Sequence, residues 1–116
     1  MPRYLLSVYQ PDGEPPPPEF LEPVVRALEA VEEEMRAAGA RVFAAGLHAP
    51  GTATVVRADE NGATTADGPH LAGEDHLGGF TVIEADDQHA AVEWGVKLAR
   101  ATTLPIEVRP VRHGSG

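Results

Sequence analysis

There is no cysteine among the 116 residues, which excludes disulfides, a thiolate nucleophile and cysteine-ligated zinc or iron–sulfur centres, and leaves the redox compartment undetermined. Basic residues are few: nine Lys and Arg stand against eighteen Asp and Glu, for a formal charge of −9. Such a chain repels phosphate backbones, and its scattered Arg and Lys make no basic stripe, so direct nucleic-acid binding is not expected. Long apolar runs are absent too. No stretch approaches the roughly 20 residues that span a bilayer, and Met1–Val8 carries no apolar core of a signal peptide. The expectation is a soluble, cytoplasmic protein without a membrane partner. Its length fits one domain with one core, which needs no metal or disulfide staple.

What is present reads as alternating strands and helices. Tyr4–Tyr9 is rich in strand-forming residues and stops at Pro11-Asp12-Gly13. Pro15–Pro18 is a stiff connector. From about Glu19 to Ala38, Val24, Leu28, Val31, Met35 and Ala38 recur at four- and three-residue steps, the period of an amphipathic helix. Gly39 supplies its stop, and Pro23 is tolerated only if it lies in the first turn. Val42–Ala45 is a short strand. Thr52–Ala58 and Ala63–Ala66 flank Asp59-Glu60-Asn61-Gly62, whose Asn-Gly pair signals a hairpin. The polar, glycine-containing segment up to His76 is expected to be a loop or a single turn. Gly78–Ala85 reads as a central strand whose glycines mark a bulge or a close backbone approach. Asp86 or Asp87 caps a second helix with Ala91, Val92, Gly95, Leu98 and Ala99 facing inward, and Thr103–Val111 is the last strand. The expected domain is 1–111, with 112–116 a disordered tail.

This order predicts an α+β fold: a ferredoxin-like antiparallel sheet with both helices on one face. The other face would be bare, yet Leu5, Tyr9, Ile83 and Phe43 are expected to populate it. A second copy is the simplest cover, so a face-to-face homodimer is expected.

Several short segments, in order, resemble a known family. They are Tyr4-Leu5-Leu6, Gly46-Leu47-His48-Ala49-Pro50, Asp67-Gly68-Pro69, Leu77-Gly78-Gly79-Phe80, Glu84-Ala85-Asp86-Asp87 with Glu93-Trp94, and Glu107-Val108-Arg109-Pro110. Together they resemble the DGPF branch of the YCII-related family over nearly the whole chain. The resemblance implies a dimeric α/β barrel, an architecture used both by small enzymes and by metabolite-handling proteins, and so no single activity. It also implies a regulatory setting, because some DGPF proteins are linked with extracytoplasmic-function sigma factors. Two departures stand out. His70 occupies the position of the phenylalanine that names the DGPF motif, and the first helix has no histidine, so the histidine–aspartate dyad thought to serve the YCII branch does not transfer.

Side chains suited to chemistry cluster in two loops, His48 in one and Asp67, His70, Glu74, Asp75 and His76 in the other. The candidate ligand-binding residues are His48, Asp67, His70, Glu74 and His76. The candidate catalytic residues are His48, Asp67 and His70, with a histidine as general base near neutral pH. For Asp67 the preferred reading is structural, its side chain bonding its own backbone to shape the turn before Gly68-Pro69. The spacing of His70, Glu74 and His76 matches no standard zinc pattern, so no metal and no cofactor is expected. His89 and His113 read as surface residues. Nucleophile elbow, Walker loop and dinucleotide fingerprint are all missing.

Three functions fit these residues. One is a small-molecule-binding or regulatory dimer. A second is an acid–base enzyme of the isomerase, lyase or dehydrochlorinase kind, working through the loop His and Asp. The third is a structural module for a signalling protein. The sequence leaves open whether the protein is an enzyme.

Overall fold

The computed structural model describes residues 1–14 and 16–113. Pro15 of the proline connector and the last three residues of the expected tail lie outside the described residues. The elements are β1 (Arg3–Pro11), α1 (Pro18–Ala37), β2 (Arg41–Gly46), β3 (Thr54–Asp59), β4 (Gly62–Asp67), β5 (Asp75–Glu84), α2 (Gln88–Thr102) and β6 (Ile106–Pro110), with a 3-10 turn at Pro50–Thr52. Four strands form one antiparallel sheet in the order β2-β5-β1-β6, and β3 and β4 form a separate hairpin. Without the hairpin, the order is the strand-helix-strand, strand-helix-strand path of a ferredoxin-like fold.

Strand register decides which residues meet the helices. Tyr4 lies opposite Ile83 and Pro110, Leu6 opposite Thr81 and Val108, and Val8 opposite Gly79 and Ile106. Residues directly opposite share a face, and this face carries the core. Tyr4, Leu6 and Ile83 cluster there with Val31 and Met35 of α1 and Ala91, Leu98 and Ala101 of α2. Ile83 was expected on the bare face. Its pairing with Tyr4 turns it inward, and it is fully buried.

α1 ends as its glycine requires. Gly39 adopts φ +71°, its N–H donates to the Arg36 carbonyl at 3.0 Å, and the Ala40 N–H donates to the Met35 carbonyl at 2.9 Å. That pair of bonds satisfies the last carbonyls of the helix. Pro23 departs from expectation. It is the sixth residue of α1 rather than part of its first turn, so the helix forgoes one backbone hydrogen bond there. The Arg41 guanidinium, 2.7 Å from the Glu32 carboxylate, ties α1 to β2, and Lys97 with Glu34 at 3.0 Å ties α2 to α1.

In α2, Asp87 is the N-cap, its carboxylate accepting from the Ala90 N–H at 2.9 Å. The inward stripe is Ala91, Gly95, Leu98, Ala101 and Thr102. Val92, expected inward, is exposed. A Cβ on Gly95 would stand 2.9 Å from Val108 Cγ2, so the absent side chain lets α2 settle onto β6. Thr103 ends this helix at φ 62°, a left-handed conformation that is costly for a β-branched residue. Thr103→Gly is therefore expected to stabilise the fold by roughly 1 kcal/mol, read as a higher urea midpoint with unchanged slope. A lower midpoint would show that the threonine side chain contributes more than its backbone costs.

β5 begins at Asp75, three residues before the strand expected from its glycines, because its first residues pair with the end of β1. Gln10 faces His76, and Pro11 faces Asp75. The register slips between Val8 and Tyr9, where Gly78 is the extra residue. The glycines serve as anticipated, since a Cβ on Gly79 would lie 2.9 Å from the Ala45 carbonyl and one on Gly78 would overlap the Gln10 side chain. β6 is shorter than expected, beginning at Ile106.

Candidate functional site

The same alternation that fills the core assigns the other sheet face. Leu5 stands opposite Val82, which stands opposite Phe43. Ser7 stands opposite Phe80, which stands opposite Ala45, and Tyr9 opposite Leu77. The rings of Phe43 and Phe80 lie 5.9 Å apart, tilted by 43°, within the range for a favourable aromatic pair. Among the described residues no helix covers this surface: α1 and α2 pack on the Tyr4–Leu6–Ile83 side. Phe43 is 53% exposed. Charged pairs edge the patch. Arg3 reaches Glu84 at 3.4 Å across β1 and β5, and on β6 Arg109 reaches Glu107 at 2.7 Å. An apolar centre with a paired, charged rim is the usual composition of a protein–protein contact surface.

The polar loops lie at the end of the sheet where β1 and β2 finish and β5 starts. His48 follows β2 and is exposed, and Asp67 is the last residue of β4. The Gly68 N–H donates to the Ala53 carbonyl at 2.8 Å and closes the hairpin base. His70 is exposed, its Nδ1 3.4 Å from the Arg57 guanidinium. The Glu74 carbonyl accepts from the Asp12 N–H, so this segment is held to the exit of β1 by backbone. His76 belongs to β5 rather than to the loop, and is half-buried. Among the described residues, no hydrogen bond or ion pair joins any two of His48, Asp67, His70, Glu74 and His76. Nor, among those residues, do three or more His, Asp or Glu gather closely enough to hold a metal ion.

Sequence reasoning missed Arg57 as a neighbour of His70. The signal was in the hairpin itself: Arg57 sits opposite Thr64 and so faces away from the Val56 side. Two shallow depressions lie elsewhere, both on the outer surface of α1. The larger, about 590 Å³, is lined by Pro18, Leu21, Glu22, Val25 and Arg26, and the other by Val25, Leu28, Glu29, Glu32 and Arg36. Neither is lined by a loop histidine. Among the described residues no helix is long and apolar enough to cross a membrane.

Fold and surface together define a class: a ferredoxin-like α+β protein with a hairpin inserted between its second and third sheet strands and an uncovered apolar sheet face. The YCII-related domain model matches residues 1–113, and the chain belongs to that family. No curated protein matches it.

Proposed function

We propose that the protein works as a homodimer with its two apolar sheet faces opposed, and that it binds a small organic molecule where the loop ends of the sheets meet. The observation that carries this reading is the uncovered face of Leu5, Tyr9, Phe43, Phe80 and Val82 inside its charged rim. Burying each large apolar side chain contributes about 1.5–3 kcal/mol, and a two-fold dimer buries every one of them twice. His48 and His70, exposed in a single chain, are the polar groups that would orient a ligand in such a cavity. A ligand-responsive dimer also suits a regulatory role beside a signalling protein, the setting that the DGPF resemblance implies.

Two measurements test the two halves. Sedimentation velocity across a concentration series is expected to give a dimer, and a monomer at every concentration would defeat the first half. A thermal-shift screen against small metabolites and divalent metals, with His48→Ala and His70→Ala alongside, addresses the second. A compound at a hundred times its dissociation constant adds about 2.7 kcal/mol, a shift of several degrees at this size. The shift is expected to vanish in at least one variant. A shift that survives in both would move the site away from these loops, and no shift with any compound would favour a module that binds protein instead.

A further inference from the structure

The hairpin is the part of the fold that the sheet, helices and core do not explain. Thirteen of its fourteen residues, 54–67, are exposed, Val55 alone being half-buried. Among the described residues its strands pack substantially only on each other, and its base is pinned by the Gly68–Ala53 backbone bond. The molecule is correspondingly flat and extended, 49 × 39 × 19 Å with a radius of gyration of 16.2 Å, against about 13 Å for a compact chain of this length. A two-stranded hairpin standing alone in water is marginally stable. This one nevertheless presents a face of small residues, with Val56 opposite Thr65 and Ala58 opposite Ala63 toward its tip and Thr54 opposite Asp67 at its base, and Val56 is 65% exposed.

We infer that the β3–β4 hairpin is an arm that lies across the second copy of the chain, its Val56, Ala58, Ala63 and Thr65 face extending the contact between opposed sheets. This inference rests on the homodimer proposed above. Interface area selects a second copy as the occupant. Four strands about 4.8 Å apart and about six residues long offer a footprint of roughly 400 Å², about half of the ~800 Å² that each partner of a stable complex buries. One face of a two-stranded, six-residue arm adds roughly 200 Å², and a two-fold axis applies that gain to both arms. Continuity points the same way. The hairpin is the excursion between β2 and β5, the strands that carry Phe43, Phe80 and Val82.

The test replaces residues 54–67 by Gly-Gly between Ala53 and Gly68, which are already hydrogen-bonded, and measures the dimer dissociation constant by sedimentation. A nitroxide on Val56→Cys, the sole cysteine of that variant, reports on the full-length arm. The truncated chain is expected to keep its far-UV circular dichroism and to dimerise at least tenfold more weakly. The label is expected to be immobilised in the dimer and released on dilution to monomer. A truncated chain that dimerises as tightly as the full chain, or a label that stays mobile in the dimer, overturns the arm while leaving the opposed sheets standing. A full-length chain that is monomeric throughout overturns both. Should truncation prevent folding, the label decides.

Discussion

Leu98→Ala is expected to lower the unfolding free energy by about 2–5 kcal/mol, the cost of deleting a fully enclosed leucine and leaving its cavity. The largest fully buried side chains are Leu6, Met35, Ile83 and Leu98, one each from β1, α1, β5 and α2. Leu98 is thus the contribution of α2 to a junction between both helices and the two central strands, and surrounding side chains have little room to collapse into its place. Domains of this kind are stable by about 5–15 kcal/mol in total, so the loss is a large fraction of the whole. Urea denaturation should show a lower midpoint with unchanged slope, at matched protein concentration because dimerisation would add its own stability. Val92→Ala on the same helix is the control. Val92 is 42% exposed, and its truncation is expected to cost under about 1 kcal/mol. Equal losses from the two variants would mean that α2 packs through a different face.

Val92 also marks where sequence reasoning stops. A helical stripe is legible to within one position, and Val92 next to Ala91 satisfies a rough 3.6-residue period as well as Ala101 does, so only packing into the core separates them. Features that depend on a few consecutive residues were readable: a cap at Asp86 or Asp87, of which the structure uses Asp87, the Gly39 stop and the hairpin around Asn61-Gly62, where the Asn61 N–H donates to the Asp59 carboxylate at 2.8 Å. Features that depend on pairing with a distant strand were not. Ile83 was placed on the wrong face because strand parity is set by its register with Tyr4, and Asp75 and His76 joined β5 only because Pro11 and Gln10 extend β1 to meet them. The candidate site falls in the second group. His48 and His70 lie on opposite sides of a hairpin excursion, and no local pattern states how far apart such residues end.

Phe43→Asp is expected to raise the dimer dissociation constant at least a thousandfold, leaving a folded monomer at tens of micromolar protein. Phe43 lies on β2, an edge strand of the sheet, and is 53% exposed in the single chain, so a carboxylate there stays hydrated in the monomer. The monomer loses chiefly the contact with Phe80, about 0.5–1.5 kcal/mol for an aromatic pair. In opposed sheets the same change acts twice. Each lost phenylalanine removes about 1.5–3 kcal/mol of burial, and each unpaired carboxylate in the apolar centre costs several kcal/mol more. The sum exceeds the ~4 kcal/mol that corresponds to a thousandfold change. Exposure alone would favour a different surface, since Phe20 on α1 is 69% exposed, with Leu21 and Val25 also open. The α1 surface, however, is interrupted by Glu22 and Arg26, which pair with each other in the open at 3.8 Å, whereas Phe43 continues into Phe80, Val82 and Leu5 without a charge. Phe20→Asp is therefore expected to leave the dimer intact. If Phe20→Asp gives the monomer and Phe43→Asp does not, the chains meet through α1 and the sheet face is left for another occupant.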